Sequence, residues 1–175
     1  MKNLLTPRTF LLVGLILMAA IVRLLPHPPN FAPITAMALF GGAYFSNKKL
    51  SFIVPLVALV LTDVVLGFHY LVPAVYVSFM MIVMVGLMLK NNVKFGTVMA
   101  ASLASSILFF VVTNFAEWAF GIMYPKTALG LAECFTMAIP FFHNTLLGDL
   151  LFTGVMFGAF ELAKVKFPKL AEVKA

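Results

Sequence analysis

An all-α bundle of six membrane-spanning helices, both termini cytoplasmic, is the fold this sequence predicts, and three observations predict it. Of 175 residues, 63% are hydrophobic and 10% are charged, whereas a soluble domain carries about 25% charged residues. Mean hydropathy is +1.08, so the chain has too few charges to cover a water-facing exterior, and lipid is its solvent. Its apolar runs approach the roughly 20 residues that a spanning helix needs. Finally, its bases fall on one side of those runs once six spans are counted.

The spans follow in order. Thr9–Leu25 trails Lys2 and Arg8 and ends at Arg23; no small-x-small cleavage site precedes Arg23, so the segment reads as a retained span and not a signal peptide. Phe31–Phe45 starts after the proline-rich "PHPPNFAP". It is the short one: 15 residues rise only about 22 Å. Leu50–Leu66 follows Asn47-Lys48-Lys49 and stops at Gly67. Val72–Leu89 lies between His69-Tyr70 and Lys90-Asn91-Asn92, and Gly96–Glu117 ends before Tyr124-Pro125-Lys126. Ile139–Phe160 is the last, leaving residues 164–175 as a basic cytoplasmic tail on a single transmembrane domain of 1–163. With six spans, ten of the twelve bases share the side of the termini, opposite Arg23 and Lys126. The positive-inside rule makes that side the cytoplasm.

The same count gives the polar residues a depth. Arg23, His27, Asn30, Asp63, His69, Tyr76, Asn114, Glu117, His143, Asn144 and Asp149 all fall in the outer half. Ionisable groups at membrane depth are costly and face a bundle interior or a watery cavity. Their one-sided concentration predicts a chamber that opens outward, rimmed by "RLLPHPPNFAP", whose prolines stiffen the loop. Each residue also has a plainer role: Arg23 can snorkel or pair with Asp63, His27 and His69 can be solvated, and Asp149 can bond Thr145 one turn back. Ala38, Gly42 and the "AASLASS" stretch supply small faces for close helix packing or for docking another membrane subunit.

Several chemistries are missing. No Walker A loop, HExxH, GxSxG or CxxC is present, so no ATPase or hydrolase is visible. The three histidines lack a metal-ligand spacing, and the lone Cys134 rules out an internal disulfide. The charge of +6 is scattered between apolar runs, which reads as membrane orientation and not as nucleic-acid binding.

Four stretches carry a resemblance: "RLLPHPPNFAPITAMALFGGAYF" (Arg23–Phe45), "LTDVVLGFH" (Leu61–His69), "TNFAEW" (Thr113–Trp118) and "PFFHNTLLGDL" (Pro140–Leu150). The chain resembles an uncharacterised family of small bacterial six-span membrane proteins, and through it the substrate-binding (S) components of energy-coupling factor transporters, including the small cobalamin-specific type. That resemblance implies an S-component-like bundle in the bacterial inner membrane and no enzymatic activity or resident cofactor. It also implies uptake of a vitamin or related micronutrient, with a membrane coupling subunit and two cytoplasmic ATPases as partners. The implied substrate-binding residues are Arg23, His27, Asn30, Asp63, His69, Tyr76, Asn114, His143, Asn144 and Asp149; for a corrinoid or metal ion, His27 and His69 would be the ligands. Two departures stand out: span one lacks the small residues four apart used for docking, and position 143 carries histidine where arginine is expected. The alternatives are a stand-alone small transporter or channel, and an intramembrane metal-dependent enzyme.

Overall fold

The computed structural model describes residues 6–171 as an all-α bundle of six helices. These are α1 (Pro7–Arg23), α2 (Ile34–Tyr44), α3 (Lys48–Leu66), α4 (Val72–Leu89), α5 (Phe95–Phe120) and α6 (Ala128–Lys166), followed by a 3-10 turn at Pro168–Leu170. Four of them, α3 to α6, are long and apolar enough to cross a membrane. The exposed faces agree with a lipid solvent. Leu103, Ile107, Val111 and Phe115 form an outward apolar stripe on α5, and Leu147, Leu151 and Val155 form one on α6. Meanwhile Ser102, Ser105 and Ser106 of α5 are fully buried. Outward apolar and inward hydroxylic is the reverse of a water-soluble helix.

Side-chain capping explains the starts of three helices. Thr6, Asn47 and Thr127 each accept a main-chain N–H of the first turn, from Thr9, Lys49 and Gly130. The cap at Thr127 starts α6 eleven residues ahead of the span read from sequence, and the helix then continues through Pro140. At about 1.5 Å per residue, α5 is about 39 Å long and α6 about 58 Å, both beyond the roughly 30 Å hydrocarbon layer.

The short α2 organises the core. From Thr35 to Tyr44 every residue is buried, so α2 is an axial plug inside the bundle. At 11 residues it rises about 16 Å, half of the layer. Its neighbours approach it in three ways. On one side Gly42 meets Gly86 of α4, and an ideal Cβ on Gly42 would lie 2.3 Å from the Val83 carbonyl oxygen. On another, Gly41 packs on α3 at Pro55, the proline that removes the N–H partner of the Ser51 carbonyl. On the third, Phe40 and Tyr44 pack edge-on and tilted against Phe157 and Phe160 of α6. Gly42, whose small face was legible in sequence, and its neighbour Gly41 therefore serve internal packing.

The helices alternate in direction, and that alternation gives the bundle two unlike ends. Arg8 of α1 donates to the carbonyls of Tyr44 and Leu170 at 2.8 Å, while Lys90 of α4 donates to those of Phe45 and Ser46. The termini of the described chain, Lys48, Lys49, Lys94, Lys164, Lys166 and Lys169 gather at this same basic end. Lys2, Glu172 and Lys174 lie outside the described residues. Within the described part of the tail, Leu170 is buried and its carbonyl accepts from Arg8.

Candidate functional site

α2 reaches only from the basic end to the level of Gly148, where Phe31 and Ala32 pass close to that glycine. Beyond the start of α2 the bundle has no axial plug, and a cavity of about 730 Å³ fills the gap. Its walls come from the end of α1, the Leu24–Pro33 loop, the end of α3, the start of α4, the second half of α5 and the middle of α6.

The structure brings Arg23, His27, Asn30, Asp63, His69, Asn114 and Asp149 onto the wall of this one cavity. Arg23 forms an ion pair with Asp63 at 2.6 Å and also donates to the Thr62 hydroxyl. Asp63 is 3% exposed, and its other oxygen accepts the Tyr76 hydroxyl at 2.8 Å. Tyr76 thus stands behind Asp63 and is not itself part of the wall. Asp149, 1% exposed, accepts the Ser106 hydroxyl at 2.6 Å, and Thr35 is its other polar neighbour. One turn nearer the basic end, Ser102 and Thr153 bond at 3.2 Å, so the α5–α6 seam below the cavity is hydroxylic.

The loop is held rigidly enough to act as a wall. Asn30 adopts φ 62°, a left-handed conformation that asparagine tolerates better than most residues. Asn144 of α6 donates to the Pro29 carbonyl at 3.0 Å, anchoring the loop without lining the cavity. His27 faces two main-chain carbonyls, Pro28 through Nδ1 and Arg23 through Nε2. Asn114 lines the cavity while donating to Phe110 at 2.8 Å.

His143 is exposed and lies off the cavity wall. On a 3.6-residue helix it points about 120° away from Asp149. Cys134 is buried against the Asn114 carbonyl. Among the described residues no three His, Cys, Asp or Glu side chains gather closely enough to hold a metal ion.

Among the lining residues not singled out as binding residues in the sequence are Thr35, Phe109, Thr113, Glu117 and Thr145. Glu117 lies three residues from Asn114 on the same helical face, a spacing that could have revealed it. Its carboxylate accepts the hydroxyl of Tyr70 from the α3–α4 loop, which pushes the Tyr70 phenol up to about 12 and keeps it a neutral donor. Lys126 donates to the carbonyls of Trp118 and Gly121 at the end of α5, where the helix dipole favours a cation.

A polar cavity set inside an apolar-surfaced bundle, with four helices long and apolar enough to cross a bilayer, marks a membrane protein. Residues 3–170 match the family model described as Family of unknown function (DUF6580), and the chain belongs to that family. No curated protein and no solved structure matches it.

Proposed function

We propose that this protein is a membrane-embedded substrate-binding subunit, S-component-like, that takes up a vitamin or related micronutrient from the outer side of a bacterial inner membrane. The observation that carries the reading is the cavity beyond the start of α2, where Arg23, Asp63, Asn114 and Asp149 converge from four helices. Its volume lies within the roughly 300–1,000 Å³ of small-molecule sites. The six helices are read as six crossings, with α2 and the Leu24–Pro33 loop sharing one of them. The basic end faces the cytoplasm by the positive-inside rule, so the cavity opens outward.

In this reading the loop and the α5–α6 arms admit the ligand, and the Arg23–Asp63 pair and Asp149 orient it. The closely packed α2 slab blocks passage towards the basic end. The chain carries no ATP-hydrolysing motif, so release to the other side requires partners: a membrane coupling subunit and two cytoplasmic ATPases.

The test is thermal unfolding of the full chain in nanodiscs against a panel of vitamins, corrinoids and transition-metal ions. A true ligand at 100 times its Kd stabilises the fold by about 2.7 kcal/mol, and Asn114→Ala should weaken that shift. A panel without any shift, from protein that co-purifies with no small molecule, overturns the reading.

A further inference from the structure

Asp149 is a buried carboxylate on the cavity wall whose two polar neighbours, Ser106 and Thr35, are neutral hydroxyls. No ion pair reaches it among the described residues. Among the described residues the cavity's one Arg or Lys side chain, Arg23, is already taken by Asp63 and Thr62. At the upper wall the side-chain partner of Glu117 among the described residues is the neutral hydroxyl of Tyr70. Three carboxylates against one guanidinium leave the lining negative. The α2 N-terminus at the cavity floor returns about half a positive charge, too little to reverse the sign. A buried carboxylate without a cation stays protonated until a counter-ion arrives, and among the described residues the protein supplies no cation for Asp149.

We infer that the ligand supplies it: the cavity takes an organic cation, an ammonium or cationic ring on an apolar body, with the positive centre against Asp149. The rest of the wall suits such a body. Leu24, Leu66 and Val75 give apolar contact, and Phe109 offers an aromatic ring, a surface that attracts quaternary ammonium groups. This inference rests on the small-molecule-binding reading above and narrows it to one charge class.

The test uses pairs that differ in charge alone, titrated calorimetrically into the full chain in nanodiscs: choline against 3,3-dimethylbutan-1-ol, and acetylcholine against 3,3-dimethylbutyl acetate. Each cation is expected to bind at least about ten-fold tighter than its uncharged isostere, the scale of a desolvated charge pair. Asp149→Asn, which keeps an oxygen for Ser106, should cut that preference to the roughly two- to five-fold that Glu117 supplies and leave the isosteres unchanged. Glu117→Gln should weaken the cations about two- to five-fold, as a more exposed charge would. Equal binding of both members of a pair, or a preference that survives Asp149→Asn undiminished, overturns the inference. Binding of neutral or anionic micronutrients without any cation overturns it too, yet leaves the binding-subunit reading standing. Failure of every compound, charged or not, sinks both.

Discussion

Replacing Gly42 or Gly86 by valine is expected to abolish the folded bundle. At the α2–α4 crossing, a Cβ on Gly42 would lie 2.3 Å from the Val83 carbonyl oxygen and 2.8 Å from the Gly86 Cα. A Cβ on Gly86 would lie 2.4 Å from the Leu39 carbonyl oxygen. Both obstacles are main chain, so no rotamer change relieves the clash and the two helices must separate. Because α2 is buried from Thr35 to Tyr44, a shift at α4 is transmitted to its contacts with α3 and α6. Overpacking of a core costs about 1–3 kcal/mol and more where backbone must move; this site belongs at or above the upper end. Gly42→Ala is expected to destabilise in the same direction. Gly154→Ala on α6, where nothing lies within 4 Å of the added carbon, should be neutral or gain up to about 1 kcal/mol from helix propensity. Unfolding midpoints of the purified variants in one detergent check this, and a stabilised Gly42→Ala would contradict the packing described.

The second large effect is expected at the Arg23–Asp63 pair. Arg23→Met leaves Asp63, 3% exposed, with the Tyr76 hydroxyl as its remaining side-chain partner among the described residues. Breaking a buried pair from one side costs about 3–5 kcal/mol, whereas neutralising both sides costs far less. The double variant Arg23→Met with Asp63→Asn should therefore recover most of the loss, since asparagine still accepts the Tyr76 hydroxyl. The pair joins the end of α1 to α3 at the cavity wall, so the single variant should also impair any ligand binding. Unfolding midpoints of the wild type, both single variants and the double variant form the cycle that decides it. A double variant worse than Arg23→Met would show that the pair is not the main interaction at either residue.

Much of the fold was legible because lipid imposes simple rules. Val72–Leu89 is one uninterrupted apolar run between polar clusters, and α4 occupies those same residues. α2 was harder: it is apolar all round, so its pattern could not distinguish a short span from an axial plug. The decisive partner, Gly86, sits in an ordinary-looking "MVGLML". The early start of α6 was missed because the span was begun at Ile139, whereas the cap at Thr127 starts the helix at Ala128. Charge counting gave the depth of the candidate site but not its rotation. Depth alone could not separate Asp149, on the wall, from His143, which faces outward on the same helix. It also passed over Thr35, a hydroxyl next to Asp149 that only the return of α2 brings there.

The central claim is that the cavity opens to the outside of the cell and the basic end to the cytoplasm. Single cysteines placed in a Cys134→Ser background, at His27→Cys beside the cavity and at Lys94→Cys at the basic end, test it with a membrane-impermeant maleimide on intact cells. The account predicts immediate labelling of the first and labelling of the second only after permeabilisation. The reverse pattern would place the cavity on the cytoplasmic side and contradict uptake from outside.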